Sequence, residues 1–99
     1  MRGVRRMTTP GWSLELETLD QLLGGDMRLD IVRKVWPDDE RFVVGIKALV
    51  VAGDVLLLTS GIAEVPNWRW RQLFDDGLVL TELGGFSLRL TDQGSARIE

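Results

Sequence analysis

The apolar residues of this chain follow their most regular pattern between positions 39 and 58. Phe42, Ile46, Leu49 and Val50 recur at the spacing of one buried stripe on an α-helix. A Gly-Asp pair then interrupts the pattern, and residues 55–58 follow as an unbroken apolar run, which is typical of a buried strand. We therefore predict a central helix over residues 39–52 that leads directly into a strand.

The residues before this helix indicate where it begins. Pro37 ends the preceding helix, because a residue that precedes proline is pushed out of the helical region. Asp38, Asp39 and Glu40 then provide a cap and negative charge for the positive end of the new helix. Three valines widen its apolar stripe: Val43, Val44 and Val51. We expect a helix with so wide an apolar face to occupy the centre of the core.

Residues 55–65 and 78–91 are each predicted to form a short antiparallel β-hairpin. With Gly84-Gly85 as a two-residue turn, the second hairpin separates cleanly into an apolar and a polar face. Its cross-strand pairs would be Leu83 with Phe86, Thr81 with Leu88 and Val79 with Leu90. In the first hairpin, a turn at Ser60-Gly61 would pair Leu58 with Ala63 and Leu56 with Val65. Both apolar faces are expected to lie on the central helix.

Two further helices are predicted before the central one. The first ends at Gly24-Gly25, with Thr18 and Gln21 at the spacing of a capping box, although residues 12–17 also alternate in the manner of a strand. Asp26 can cap the second, which continues to Trp36. Its expected inward residues are Met27, Ile31, Val32 and Val35.

The segment from Asn67 to Asp76 is also predicted to be helical, with Asn67 as its cap and Gly77 at its end. Its inward face would consist of Trp70, Leu73 and Phe74, which leaves Trp68 on the outer side. Thr91 can cap a short last helix that continues to Ile98.

The length and composition suit one α+β domain. The chain has 99 residues, of which 44% are hydrophobic, enough for a single core. We assign residues 12–99 to this domain and residues 1–11 to a flexible basic N-terminal arm. The longest apolar run contains Lys47 and Asp54, so it is a poor membrane span and no membrane partner is expected. No apolar segment follows the N-terminal arginines as in a signal peptide, and we expect a cytoplasmic protein.

The sequence lacks several of the side chains that enzymes most often use for catalysis. The chain contains no His, Cys or Tyr, which removes the usual proton shuttle, the thiol nucleophile and the commonest transition-metal ligands. Pairs such as Asp75-Asp76 could hold a divalent cation through oxygen atoms, but a solvated helix end explains them more simply. We therefore expect a protein that is not an enzyme and that has no cofactor or metal site.

Residues 28–60 resemble part of a winged helix-turn-helix domain. Their sequence, RLDIVRKVW, PDDE and RFVVGIKALVVAGDVLLLTS, is similar to the second helix, turn, recognition helix and first wing strand. Residues 70–97, with GLVL, GG and FSLRLTDQG, are similar to the wing and closing helix. The resemblance implies a winged-helix-like single domain of about three to four helices with two short hairpins. It also implies nucleic-acid binding through residues 39–52, or contact with a protein by a winged-helix fold that no longer binds nucleic acid.

The charge of the predicted recognition helix opposes DNA binding. A helix that reads DNA presents cationic or amide side chains near its N-terminus. Here the carboxylates of Asp38, Asp39 and Glu40 occupy those positions, and they would be repelled by a phosphate backbone. On this helix only Arg41 and Lys47 offset them.

Six other residues form a candidate binding surface: Trp68, Arg69, Arg71, Arg2, Arg5 and Arg6. A base could stack on an indole while the guanidinium groups neutralise phosphate. Tryptophan and arginine are also enriched among the side chains that anchor protein–protein interfaces, so the same surface suits a protein partner. Alternatively, both tryptophans of residues 67–76 are packed, and the arginines are solvated or paired with Asp75 and Asp76.

Two functional hypotheses follow. The first is a non-enzymatic protein-interaction module that binds an unidentified protein, or another copy of itself, through this surface or a hydrophobic face. The second is a nucleic-acid-binding transcriptional regulator of the winged helix-turn-helix type that uses the same arginines. The acidic start of the central helix favours the first hypothesis.

Overall fold

The computed structural model describes residues 13–59 and 62–98, which form an α+β fold around one hydrophobic core. The α-helices are α1 (Leu14–Gln21), α2 (Leu29–Val32), α3 (Asp39–Ala52) and α4 (Asp92–Arg97). The strands are β1 (Met27–Arg28), β2 (Val55–Thr59), β3 (Ala63–Glu64) and β4 (Phe86–Leu90). Short 3₁₀ or π-helical turns make up most of the connections between them. The proposed basic arm, residues 1–11, lies outside the described residues.

The central helix is confirmed with the predicted bounds. Asp38 is its N-cap and accepts a hydrogen bond from the backbone N–H of Arg41 at 2.8 Å. Gly53 ends the helix in the left-handed conformation, with φ of 85°, which glycine adopts without steric cost. The predicted stripe is buried, and Phe42, Ile46 and Leu49 are fully inaccessible.

The expectation that three valines widen this stripe is wrong for two of them. Val44 and Val51 are 64% and 59% exposed, while Val43 is half-buried. α3 packs against α1, β2 and residues 71–81, and no described element covers the face that carries Val44 and Val51. An apolar side chain on a helix is buried only if another element covers its face. Whether another element does so cannot be predicted from the sequence of the helix alone.

α1 begins earlier than predicted. Ser13, not Thr18, is its N-cap and accepts from the backbone N–H of Leu16. The hydroxyl of Thr18 lies inside the helix, where it donates to the carbonyl of Leu14 at 2.9 Å and accepts from the indole N–H of Trp36 at 3.2 Å. A 3₁₀ turn, Leu22–Gly24, ends the segment near the predicted glycine pair.

The second helix is shorter than predicted, because its first residues join the sheet. Met27 and Arg28 pair with Leu88 and Ser87 of β4. The carboxylate of Asp26 does not cap a helix but forms an ion pair with Arg89 at 2.8 Å, and this contact raises the pKa of the Arg89 side chain above its usual value. α2 therefore begins at Leu29 and ends in a 3₁₀ turn, Arg33–Val35. Ile31, expected inward, is exposed.

The sheet has the order β1-β4-β2-β3, and all its neighbours are antiparallel. β2 and β4 form its centre and pair along their full lengths, from Val55 with Leu90 to Thr59 with Phe86. The predicted separation of faces in β4 is confirmed, since Phe86 and Leu88 are buried and Arg89 is exposed.

The predicted hairpin over residues 78–91 does not form. Residues 78–85 make two 3₁₀ turns, Leu78–Thr81 and Leu83–Gly85, and β4 pairs with β2 instead. A two-residue hairpin turn needs a positive φ, and neither Gly84 nor Gly85 adopts one. The strand pattern of residues 86–90 was identified correctly, but its partner was not.

The first hairpin forms with its register shifted by one residue. Leu58 pairs with Glu64, and Thr59 pairs with Ala63, whereas a turn at Ser60-Gly61 would have paired Leu58 with Ala63. The loop is therefore one residue longer than predicted. Ser60 and Gly61 lie outside the described residues.

The last helix is confirmed, and polar contacts that include the buried carboxylate of Asp54 attach it to the end of α3. Thr91 caps α4 by accepting from the backbone N–H of Gly94. Its hydroxyl also lies 2.7 Å from the carbonyl oxygen of Gly53. The buried carboxylate of Asp54 accepts from Gln93 and pairs with Arg97. These contacts join the start of β2 to the end of β4 at one end of the sheet.

We expect Leu49→Ala to lower the free energy of unfolding by about 2–5 kcal/mol, the usual cost of truncating a well-packed leucine. Denaturant unfolding measures this change. The matched control is Val51→Ala on the solvent face of the same helix, for which we expect a change of less than about 0.5 kcal/mol. Similar losses for the two variants would contradict the assigned faces of α3.

Candidate interaction surfaces

The segment that carries the predicted tryptophan site turns its apolar side chains inward as expected. It consists of a 3₁₀ turn, Asn67–Arg69, and a π-helical turn, Arg71–Asp75, and is followed by Gly77 at φ of 74°. Leu73 and Phe74 are buried, and Trp70 packs against the core from a half-buried position. Asn67 makes no side-chain capping hydrogen bond, contrary to expectation.

Trp68 is 74% exposed. The alternative in which it packs over the first turn of the segment is therefore wrong, although the indole of Trp70 does belong largely to the core. An indole in water at this exposure contributes little to folding and is available to a partner.

Arg69 and Arg71 have no ion pair or hydrogen bond to any side chain within residues 13–59 and 62–98. The predicted alternative, pairing with Asp75 or Asp76, does not occur. Asp75 is occupied by Lys47 of α3, whose ammonium lies 2.6 Å from the carboxylate. Trp68, Arg69 and Arg71 together are named the tryptophan surface below. Arg2, Arg5 and Arg6 lie outside the described residues.

A second surface was not found from the sequence. It is a groove of about 720 Å³ between the outward side of α3 and residues 74–80. Its apolar lining consists of Val43, Val44, Phe74 and Leu80, and its charged lining consists of Asp39, Glu40, Lys47, Asp75 and Asp76. This surface is named the α3 groove below. The excess of valines on α3 was the available signal, but it was interpreted as a wider buried stripe.

The α3 groove carries an excess of negative charge. Of its four carboxylates, Asp75 pairs with Lys47 and Asp39 pairs with Arg33 at 2.8 Å. Glu40 and Asp76 have no cationic partner among the described residues. The groove therefore presents apolar side chains beside two uncompensated carboxylates.

Neither a metal-ligand cluster nor a membrane-spanning helix occurs among the described residues of the structure. Within residues 13–59 and 62–98, no three acidic side chains come together in an arrangement that could hold a metal ion. Across the same residues, the helices are too short or too polar to cross a membrane.

Comparison with known proteins gives no relative. No protein-family model, no curated protein and no solved structure matches this chain. Functional inference therefore rests on the chemistry of the two surfaces.

We expect Trp68→Ala to change the free energy of unfolding by less than about 0.5 kcal/mol, because its side chain lies in solvent. Trp70→Ala should cost at least about 2 kcal/mol, because it removes a large ring from the edge of the core. Chemical denaturation followed by circular dichroism compares the two. A large loss for Trp68→Ala would mean that its indole supports the fold and is not free to bind.

Proposed function

We propose that this protein is a non-enzymatic protein-interaction module on a winged-helix-like scaffold. The observation that carries the proposal is the solvent side of α3, where Val44 and Val51 are exposed and Val44 continues into the apolar lining of the α3 groove. Contiguous exposed apolar surface costs solubility, and on monomeric proteins it usually marks a site of protein contact.

The order of elements supports the scaffold in part. α2, α3 and β2 follow one another as the winged-helix resemblance implies. The departure lies in the wing, because β3 has only two residues and the full-length partner of β2 is β4. In this proposal the chain keeps the helices of the winged-helix scaffold, while the wing, which would contact a nucleic acid, is shortened.

The charges of α3 favour a protein partner over DNA. Both cationic side chains of the helix are engaged with carboxylates, Arg41 with Asp38 at 3.6 Å and Lys47 with Asp75. A phosphate backbone would have to displace these contacts, and it would also approach the uncompensated Glu40. Affinity for DNA depends on neutralising phosphates with free Lys and Arg, which this face does not provide.

Nucleic-acid binding by the tryptophan surface is the second candidate. It is favoured by an exposed indole that is close in the chain to two arginines without a carboxylate partner among the described residues. Such a surface suits single strands or phosphate contacts without sequence readout. It does not suit the recognition-helix mode that the resemblance implies.

The proposed function can be tested by placing a photoreactive benzoylphenylalanine at position 44 in the full-length chain and irradiating the producing cells. We expect adducts that protease removes and nuclease does not. The same label at Ala96, an exposed residue of α4, serves as the matched control and should give no such adducts. Nucleic-acid adducts at position 44, or equal protein adducts at both positions, would contradict the interaction module.

Duplex DNA should bind weakly and without sequence preference. The residual affinity should fall steeply with salt, and it should fall again when Arg69 and Arg71 are changed to Gln, because only phosphate contacts remain. Fluorescence anisotropy with mixed-sequence duplexes at low and physiological salt measures this. Tight, sequence-selective binding that is lost in Arg41→Gln or Lys47→Gln but kept in the Arg69 and Arg71 variants would favour the regulator.

A further inference from the structure

The two surfaces of this chain are complementary to each other. The tryptophan surface offers an exposed indole, followed in the chain by two arginines that have no carboxylate partner within residues 13–59 and 62–98. The α3 groove offers apolar side chains beside two carboxylates, Glu40 and Asp76, that have no cationic partner in the described part of the chain. Each surface lacks what the other provides.

The α3 groove is large enough for an aromatic anchor. Its volume of about 720 Å³ falls within the range of clefts that bury most of a small organic ligand, about 300–1,000 Å³. Aromatic rings are the side chains that gain most from such a site, since each buries a large apolar area while its polar atom can remain at the rim. The rings and methyl groups of Phe74, Leu80 and Val44 would supply the contact.

The charges on the two sides also match in number. Arg71 follows Trp68 by three residues in a helical segment, the spacing at which two side chains lie on one face, while Arg69 is its neighbour in the chain. An indole in the groove would thus bring the Arg71 guanidinium group toward its acidic rim. Pairing Arg with a carboxylate beside an apolar contact is stronger than pairing in open water, because the neighbouring surface excludes solvent.

The contact is not made within one molecule. Trp68 does not line the groove, and it remains mostly exposed to solvent. We propose that Trp68 of one copy occupies the α3 groove of a second copy, with Arg69 and Arg71 facing Glu40 and Asp76. This self-association rests on the proposed function, and it specifies the partner as the chain itself.

Sedimentation equilibrium of the full chain, from about 1 μM to about 1 mM, tests for this contact over the range in which small interfaces dissociate. We expect the average mass to rise with concentration, and the association to weaken in 0.5 M salt, because part of the attraction is between charges at the rim.

Two variants separate the halves of the contact. The anchor variant combines Trp68→Ala with Arg71→Gln, and the groove variant combines Val44→Lys with Glu40→Gln. Each should weaken self-association at least about tenfold, the effect of losing a central anchor. Mixed together, they should associate again, because one retains an intact groove and the other retains an intact anchor.

Matched controls use exposed apolar residues outside both surfaces. Ile62→Ala removes an 82% exposed side chain, and Leu23→Lys places a charge on a 53% exposed residue of the 3₁₀ turn after α1, away from the groove lining. Both controls should associate as the unchanged protein does. Equal loss in the controls would show general effects on solubility or folding and would overturn the assigned contact.

A protein that stays monomeric up to about 1 mM, or an anchor variant that associates normally, would overturn the proposal. So would two variants that fail to associate when mixed although each is folded by circular dichroism. If the chain is monomeric but the photoreactive residue at position 44 forms adducts with a different protein, the self-association proposal is wrong and the proposed interaction module is still supported. If it gives no protein adduct and the chain is monomeric, both fail.

Discussion

The packing of Trp36 on Gly45 is the contact on which the arrangement of the helices depends. A Cβ atom at position 45 would overlap the indole ring, so only glycine allows the ring to lie against α3. The indole N–H donates to Thr18 of α1, and the ring is thereby fixed in one orientation. One side chain thus joins α1, the end of α2 and the middle of α3. A buried polar atom with a single well-placed partner specifies geometry, because any other position leaves it unsatisfied.

The orientation of α3 decides which of its side chains reach solvent. With Gly45, Ile46 and Leu49 turned inward, Val44 and Glu40 necessarily face the opposite side of the helix. Arg33 adds to the same constraint at the start of α3, since it donates to the carbonyl of Trp36 and pairs with Asp39. The acidic and apolar character of the α3 groove therefore follows from the way the core is packed.

The elements predicted most accurately are those whose bounds are marked by residues within or next to the element itself. α3 has a proline before it, an aspartate cap, a glycine end and a periodic stripe, and all of these point to the same bounds. α4 has a threonine cap at its start. The pairing of β4 could not be predicted in this way, because β2, which lies far away in the chain, provides a longer partner than residues 79–83 do. Local alternation identifies a strand but not its neighbour.

The difference between local and long-range signals also explains which of the two candidate surfaces could be predicted from the sequence. Helical spacing within one short segment predicted that Trp68 lies on its outer side, but it left open whether the indole is exposed or packed over the first turn, and the structure shows it exposed. The α3 groove combines residues 39–47 with residues 74–80, and its existence depends on how closely the two segments approach. No pattern within either segment contains that information. The ion pair between Lys47 and Asp75, which leaves Arg71 without that partner, is likewise a consequence of tertiary structure.

The sheet order has a consequence for how this molecule can meet others. Both edge strands, β1 and β3, have only two residues, whereas the two long strands lie in the centre. A short edge exposes few free backbone N–H and C=O groups, so it is a poor template for adding a strand from another chain. A contact with another chain would therefore gain little from backbone pairing, which accepts almost any extended chain, and more from side chains, whose identity can be selective.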